Sequence, residues 1–136
     1  MNLFNKAIAF AKSYCDISEN DITIIMHARK NLVFYDKQLW TKKSYNNDFD
    51  VPMGCFDGAE VCELVGTYLL NQLPHSFDKR LIGLYRDDGL GIIKNKSGPE
   101  IESIKKALTK TLNDHELQIT VEANIEVLIF LISPLI

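Results

Sequence analysis

Residues 81–93 hold two short apolar runs, Leu81, Ile82 and Leu84 on one side and Leu90, Ile92 and Ile93 on the other, joined across Tyr85, Arg86, Asp87, Asp88 and Gly89. Apolar, turn, apolar at this spacing predicts a β-hairpin, because Asp88 and Gly89 are residues that tolerate the positive φ of a tight turn. The hairpin demands an antiparallel sheet and sets Asp87 and Asp88 side by side at a strand end. Two oxygen ligands so placed suit a hard divalent ion such as Mg²⁺, which takes one or two carboxylates and completes its shell with water and phosphate oxygens. The same residues also describe a plain turn that binds nothing.

The rest of the chain supplies helices to cover such a sheet. Residues 2–14 carry apolar side chains near helical spacing, and Ser18 with Asp21 three positions on predicts the start of a second helix running to about Arg29. Residues 31–35 and 38–41 are β-rich runs separated by Asp36 and Lys37, read as a hairpin with Trp40 packing on one face. Val61, Leu64, Val65, Tyr68 and Leu69 form one continuous helical stripe, fading at Gln72 and closed by Pro74. Pro99 suits the first turn of a helix to about Asn113, with Ile101, Ile104, Leu108 and Leu112 inward. Residues 117–121 alternate as a strand, and 125–132 form a last apolar strand.

The expected class is therefore α+β, an antiparallel sheet with helices packed on one face. One domain over residues 1–136 is expected: a helical lead-in (1–30), a hairpin and glycine loop (31–57), a helix (58–71), the acidic hairpin (81–93), a helix (99–113) and terminal strands (117–132).

Composition narrows the function classes. Fifteen basic and 18 acidic residues give a net charge of −3, so the summed field does not draw in a polyanion. Cys15, Cys55 and Cys62 are an odd set without metal-ligand spacing, which favours reduced thiols and an intracellular, cytoplasmic or nuclear, setting. The longest apolar run, residues 127–132, is far too short to span a bilayer, so no membrane partner is expected. His27, His75 and His115 share no ligand spacing and are read as exposed or capping residues.

Tyr85, Arg86, Asp87 and Asp88, entered by Ile82, Gly83 and Leu84, resemble the Tyr-x-Asp-Asp box of reverse transcriptases, and the blocks around them stand in the order of a polymerase palm. Residues 49–64 resemble the loop and helix that precede the acidic hairpin in retroelement (retrotransposon) polymerases. Residues 98–113 are similar to the helix that follows it, and 117–132 to the strands leading to the primer-gripping hairpin. The resemblance implies two-metal nucleotidyl transfer by an RNA-directed DNA polymerase. Asp87 and Asp88 would be catalytic metal ligands, Tyr85 would support the turn near the primer, and Gly54, Phe56 and Gly58 would shape the nucleotide pocket. Phe56 reads equally as a stacking surface or a core aromatic.

The resemblance also has departures. The family's first metal aspartate lies on a strand upstream of the starting helices, which this chain does not supply, and no thumb follows residue 136. Gly58 and Ala59 stand in place of a Ser-Pro pair, and Gln118 where a basic residue is expected. The chain is accordingly expected to be a palm fragment, inactive alone, holding Mg²⁺ or Mn²⁺ weakly if at all. Template-primer and dNTP are partners of the parent family and weak or absent partners of the fragment. Self-association through the apolar segment 127–136 is expected, on the view that it forms an open strand edge. The alternative is a small non-catalytic α+β interaction module.

Overall fold

The computed structural model describes residues 3–28, 32–41, 51, 56–74, 77–124 and 127–134. Two compact units, Met1–Val65 and Gly66–Ile136, divide the chain inside its third helix.

In the first unit, α1 (Leu3–Lys12) buries Phe4, Ala7 and Ile8, one face at helical spacing. Its end closes on the amides of Ser13, Tyr14 and Cys15, which donate to the carbonyls of Phe10 and Ala11. Lys12 then pairs with Glu19 across the turn into α2 (Glu19–Ala28). The expected cap is present. Ser18 N–H donates to the Asp21 carboxylate at 3.0 Å and the Asp21 amide donates back to Ser18 Oγ at 3.1 Å, which satisfies donors that a helix start leaves open. The Ser18 hydroxyl and amide hold the Asp21 carboxyl below the usual carboxylate range.

β1 (Leu32–Tyr35) and β2 (Gln38–Thr41) pair antiparallel, with Tyr35 opposite Gln38 and Val33 opposite Trp40. Asp36 and Lys37 both take positive φ, 48° and 59°, the geometry whose twist matches a two-residue hairpin. One expectation fails here: Trp40 does not pack into a covered face but is 57% exposed. A two-stranded ribbon has no second layer of its own.

α3 (Gly58–Gln72) confirms its stripe, with Val61, Val65, Tyr68 and Leu69 buried. The Asp57 carbonyl accepts from the Val61 amide to start it.

The second unit continues through a 3₁₀ turn (Lys79–Leu81), β3 (Ile82–Tyr85), β4 (Asp88–Ile92), α4 (Gly98–Asn113), β5 (Leu117–Ala123) and β6 (Val127–Pro134). The sheet order is β3-β4-β6-β5, antiparallel throughout. Strand burial alternates with period two. Leu84 of β3 meets Leu69, Leu70 and Leu73 of α3 and Leu108 and Leu112 of α4 around one small space, so the helices cover one face. The fold is a small α+β one. Ser97 and Glu100 start α4: the Glu100 carboxylate accepts from the Ser97 amide and hydroxyl, each at 2.8 Å.

The C-terminal strand differs from its expected role. β6 lies inside the sheet, paired with β4 over residues 127–131 and with β5 over residues 128–134. The open edge on which self-association through this strand was expected is therefore closed by backbone pairing.

Candidate functional site

The acidic hairpin forms where the sequence places it. Ile82 pairs with Gly91, Leu84 with Gly89 and Tyr85 with Asp88, leaving Arg86 and Asp87 as the two-residue loop. Asp87 is thus at the tip as expected, whereas Asp88 is the first residue of β4 and pairs with Tyr85. The reason is tertiary: Asp88 and Gly89 already pair with Leu131 and Phe130 of β6, so the sheet claims both residues as strand. Arg86 instead takes the left-handed backbone, at φ 57°.

Alternation decides what this hairpin presents. On β4 the residues facing the helices are Gly89 and Gly91, both buried, while Asp88, Leu90 and Ile92 face out. On β3, Ile82 and Leu84 face in, and Gly83 and Tyr85 face out. The bulk of β4 therefore lies on the uncovered side, contrary to the usual arrangement of apolar-in strands. Tyr85 stands across from Asp88 at the tip, and Leu90 across from Ile129 further along. The apolar residues of this outer face are substantially exposed, Tyr85 at 71%, Leu90 at 57%, Ile129 at 48% and Ile92 at 47%.

Asp87 and Asp88 are exposed, and neither carboxylate makes a hydrogen bond or ion pair among the described residues. Arg86, the cation between Tyr85 and the acids in sequence, lies over the Tyr85 ring with its guanidinium carbon 5.4 Å from the centroid. Its charge is directed onto an aromatic face and forms no ion pair with either acid. Such a tip offers two free carboxylates to a cation. They fit Mg²⁺ or Mn²⁺ as an ion that keeps most of its water, since octahedral Mg²⁺ is commonly held by one or two carboxylates. Among the described residues no three of His, Cys, Asp and Glu gather closely enough to hold a metal. β6, the strand beside β4, contributes no charged residue between Val127 and Pro134.

Of the expected nucleotide-pocket residues, Gly58 is the first residue of α3, and Phe56 just before it is fully exposed, which removes the core-aromatic reading. Gly54 lies outside the described residues. Cys15 and Cys62 are free thiols, and Cys55 is also outside them.

One polar arrangement went unread in the sequence. Tyr68 Oη lies 3.0 Å from His115 Nε2, and His115 Nδ1 lies 2.8 Å from the Thr111 carbonyl. A carbonyl only accepts, so Nδ1 carries the proton and the Tyr68 hydroxyl donates to Nε2. The rings meet edge to face at 5.4 Å. His115 thus caps the end of α4, and burial pushes the Tyr68 hydroxyl pKa up. The spacing of 47 residues between the partners left no local signal. Lys105, on the outer face of α4, pairs with Glu102 at 3.0 Å.

Comparisons with protein-family models, with curated proteins and with solved structures returned no match.

Proposed function

We propose that the chain is part of the palm of a retroelement reverse transcriptase, and that Asp87 and Asp88 are its share of the metal site. The observation that supports this reading most is the hairpin tip itself: a tyrosine and two adjacent, unpartnered carboxylates presented at the open end of a helix-backed antiparallel sheet. A bound Mg²⁺ or Mn²⁺ would supply Lewis-acid activation of a phosphate and of the attacking hydroxyl. The chain's own part is to hold the ion by Asp87 and Asp88 and to shape the approach with Tyr85. Arg86 on the Tyr85 ring keeps a cation from neutralising the acids. Because two carboxylates displace little of an ion's water, the chain alone binds the ion weakly and does not polymerise.

The second reading, a non-catalytic interaction module, is favoured by β6. This strand completes a four-stranded sheet and brings no third acid to the hairpin. The two readings part on nucleotide. A palm site completes its ion's shell with substrate phosphates, so the Mn²⁺ complex of a dNTP should show a water-proton relaxation enhancement with the wild-type chain that D87N loses. No enhancement, or the same enhancement in D87N, would assign Asp87 and Asp88 to an ordinary turn.

A further inference from the structure

The helix-facing side of β4 is made of glycine, which the acidic tip does not require. Gly91 is buried there, paired with Ile82 of β3 and Leu128 of β6, at a strand position where a side chain would ordinarily fill the core. A glycine inside a strand weakens it and commonly marks a place where something approaches the backbone closely. Around Gly91 lies a space of about 240 Å³, between the start of β3, the end of β4 and α4. Phe77, Leu81, Ile82, Ile93 and Ile104 form its apolar walls, and Leu81, Ile82 and Ile104 are only half-buried. Aliphatic side chains beside a gap lose the contacts that a filled interior gives.

The polar side chains lining the space are Asp78, Lys94 and Lys96, all exposed. Asp78 is already neutralised, because Arg80 Nε and Nη2 each donate to one of its carboxylate oxygens at 3.0 Å. Lys96 reaches Glu100 Oε1 at 3.4 Å. Lys94 forms no hydrogen bond or ion pair among the described residues. An apolar interior beside one uncommitted positive charge is complementary to a ligand with a short apolar tail and a single negative head. The volume falls below the about 300–1,000 Å³ of sites that take drug-sized molecules, which excludes a bulky or two-tailed ligand.

We propose that this space binds a free short- or medium-chain monocarboxylate, with the alkyl chain lying over Gly91 and the carboxylate paired with Lys94. Ile82 and Gly91 are the strand pair furthest from the Arg86 and Asp87 loop, so the site lies at the other end of the hairpin from the acids. It needs neither the acid pair nor a metal ion, and it stands or falls separately from the polymerase reading.

Octanoate titrated into the isotopically labelled chain, in EDTA, should shift the amides of Gly91, Ile93, Lys94 and Ile104 and saturate at about millimolar concentration. From butanoate to hexanoate the affinity should rise about fourfold per methylene, the gain from burying each one, and level off once the space is filled. Octanol with the wild type, and octanoate with K94Q, should each bind about twofold to fivefold more weakly than octanoate with the wild type, as an exposed ion pair allows. K94R should restore the octanoate affinity, and K94Q should leave octanol binding unchanged. G91V, which puts a side chain into the space, should abolish the response to both ligands; its amide spectrum reports whether it folds, and K94Q tests the site without touching the core. D87N should bind octanoate as the wild type does. No saturable shift at these amides, an affinity independent of chain length, K94Q binding octanoate as tightly as the wild type, a folded G91V that still binds, or a response to anionic vesicles but not to free octanoate would each overturn the proposal.

Discussion

The two hairpins of this protein are built to one local plan and come to opposite ends. Each joins short strands through a two-residue loop, Asp36 and Lys37 in one and Arg86 and Asp87 in the other, with left-handed backbone at Asp36, Lys37 and Arg86. Among the described residues β1–β2 pairing stops at two strands, and Tyr35, Leu39 and Trp40 are exposed. In β3–β4 a third and fourth strand extend the sheet, and α3 and α4 close one face, so exposure is confined to the other. Turn chemistry makes a hairpin, but its neighbours decide which side chains remain available for function. One hairpin leaves an exposed aromatic ribbon, the other an acidic tip on a braced sheet.

The contrast breaks most readily through the support of the second hairpin. Leu108 is fully buried where α4 meets the leucines of α3 and β3, so L108A should cost about 2–5 kcal/mol in denaturant unfolding. W40A, at an exposed position, should cost within about 0.5 kcal/mol. Equal losses would mean that Trp40 is packed. A smaller effect is expected at the polar link between α3 and the end of α4. Y68F leaves His115 Nε2 without its donor and should lower stability by about 1 kcal/mol.

A gain should follow at Gly83. This position faces outward beside Leu90, and a Cβ there would meet nothing within 4 Å. G83V should therefore stabilise the acidic hairpin by about 0.5–1 kcal/mol through strand propensity and a cross-strand contact. A loss would show that the outer face is not open.

The smallest effect is a pH dependence of the helix caps. The Ser97 amide and hydroxyl hold the Glu100 carboxyl below its usual value, with Lys96 adding to the shift, and Ser18 does the same for Asp21. Carboxylates lowered in the folded state stabilise it above their ordinary pKa, and that contribution is lost as pH falls through the lowered folded values. Helical circular dichroism should therefore decline on acidification below about pH 4. E100Q should remove part of that decline; an unchanged acid profile would mean that the α4 cap contributes nothing.

Much of this was legible in the sequence because it is local. The stripe on α3, the Ser18 and Asp21 cap and the loop at Asp36 and Lys37 all depend on residues within one or two turns of each other, and each appears where the spacing puts it. What escaped depends on distant pairing. Nothing in residues 127–134 announces that they lie between β4 and β5, yet that placement pairs Asp88 with Leu131 as a strand residue and leaves Arg86 and Asp87 as the loop. It also closes the edge expected to drive association. The exposure of Leu90 and Trp40 follows from which faces the other elements cover, which an alternating pattern leaves open. The acid pair itself was legible as a hairpin tip; that neither acid forms an ion pair among the described residues, with Arg86 turned onto Tyr85, depends on the folded geometry.

The claim that matters most is that the braced hairpin, and not the other, presents a cation site. Amide spectra recorded during Mn²⁺ titration observe both loops in one sample. Paramagnetic broadening should appear first at Arg86, Asp87, Asp88 and Gly89, require millimolar ion, spare Asp36 and Lys37, and vanish in D87N. Broadening no stronger at the acidic tip than at Glu60 and Glu63 on α3, or unaffected by D87N, would contradict the account.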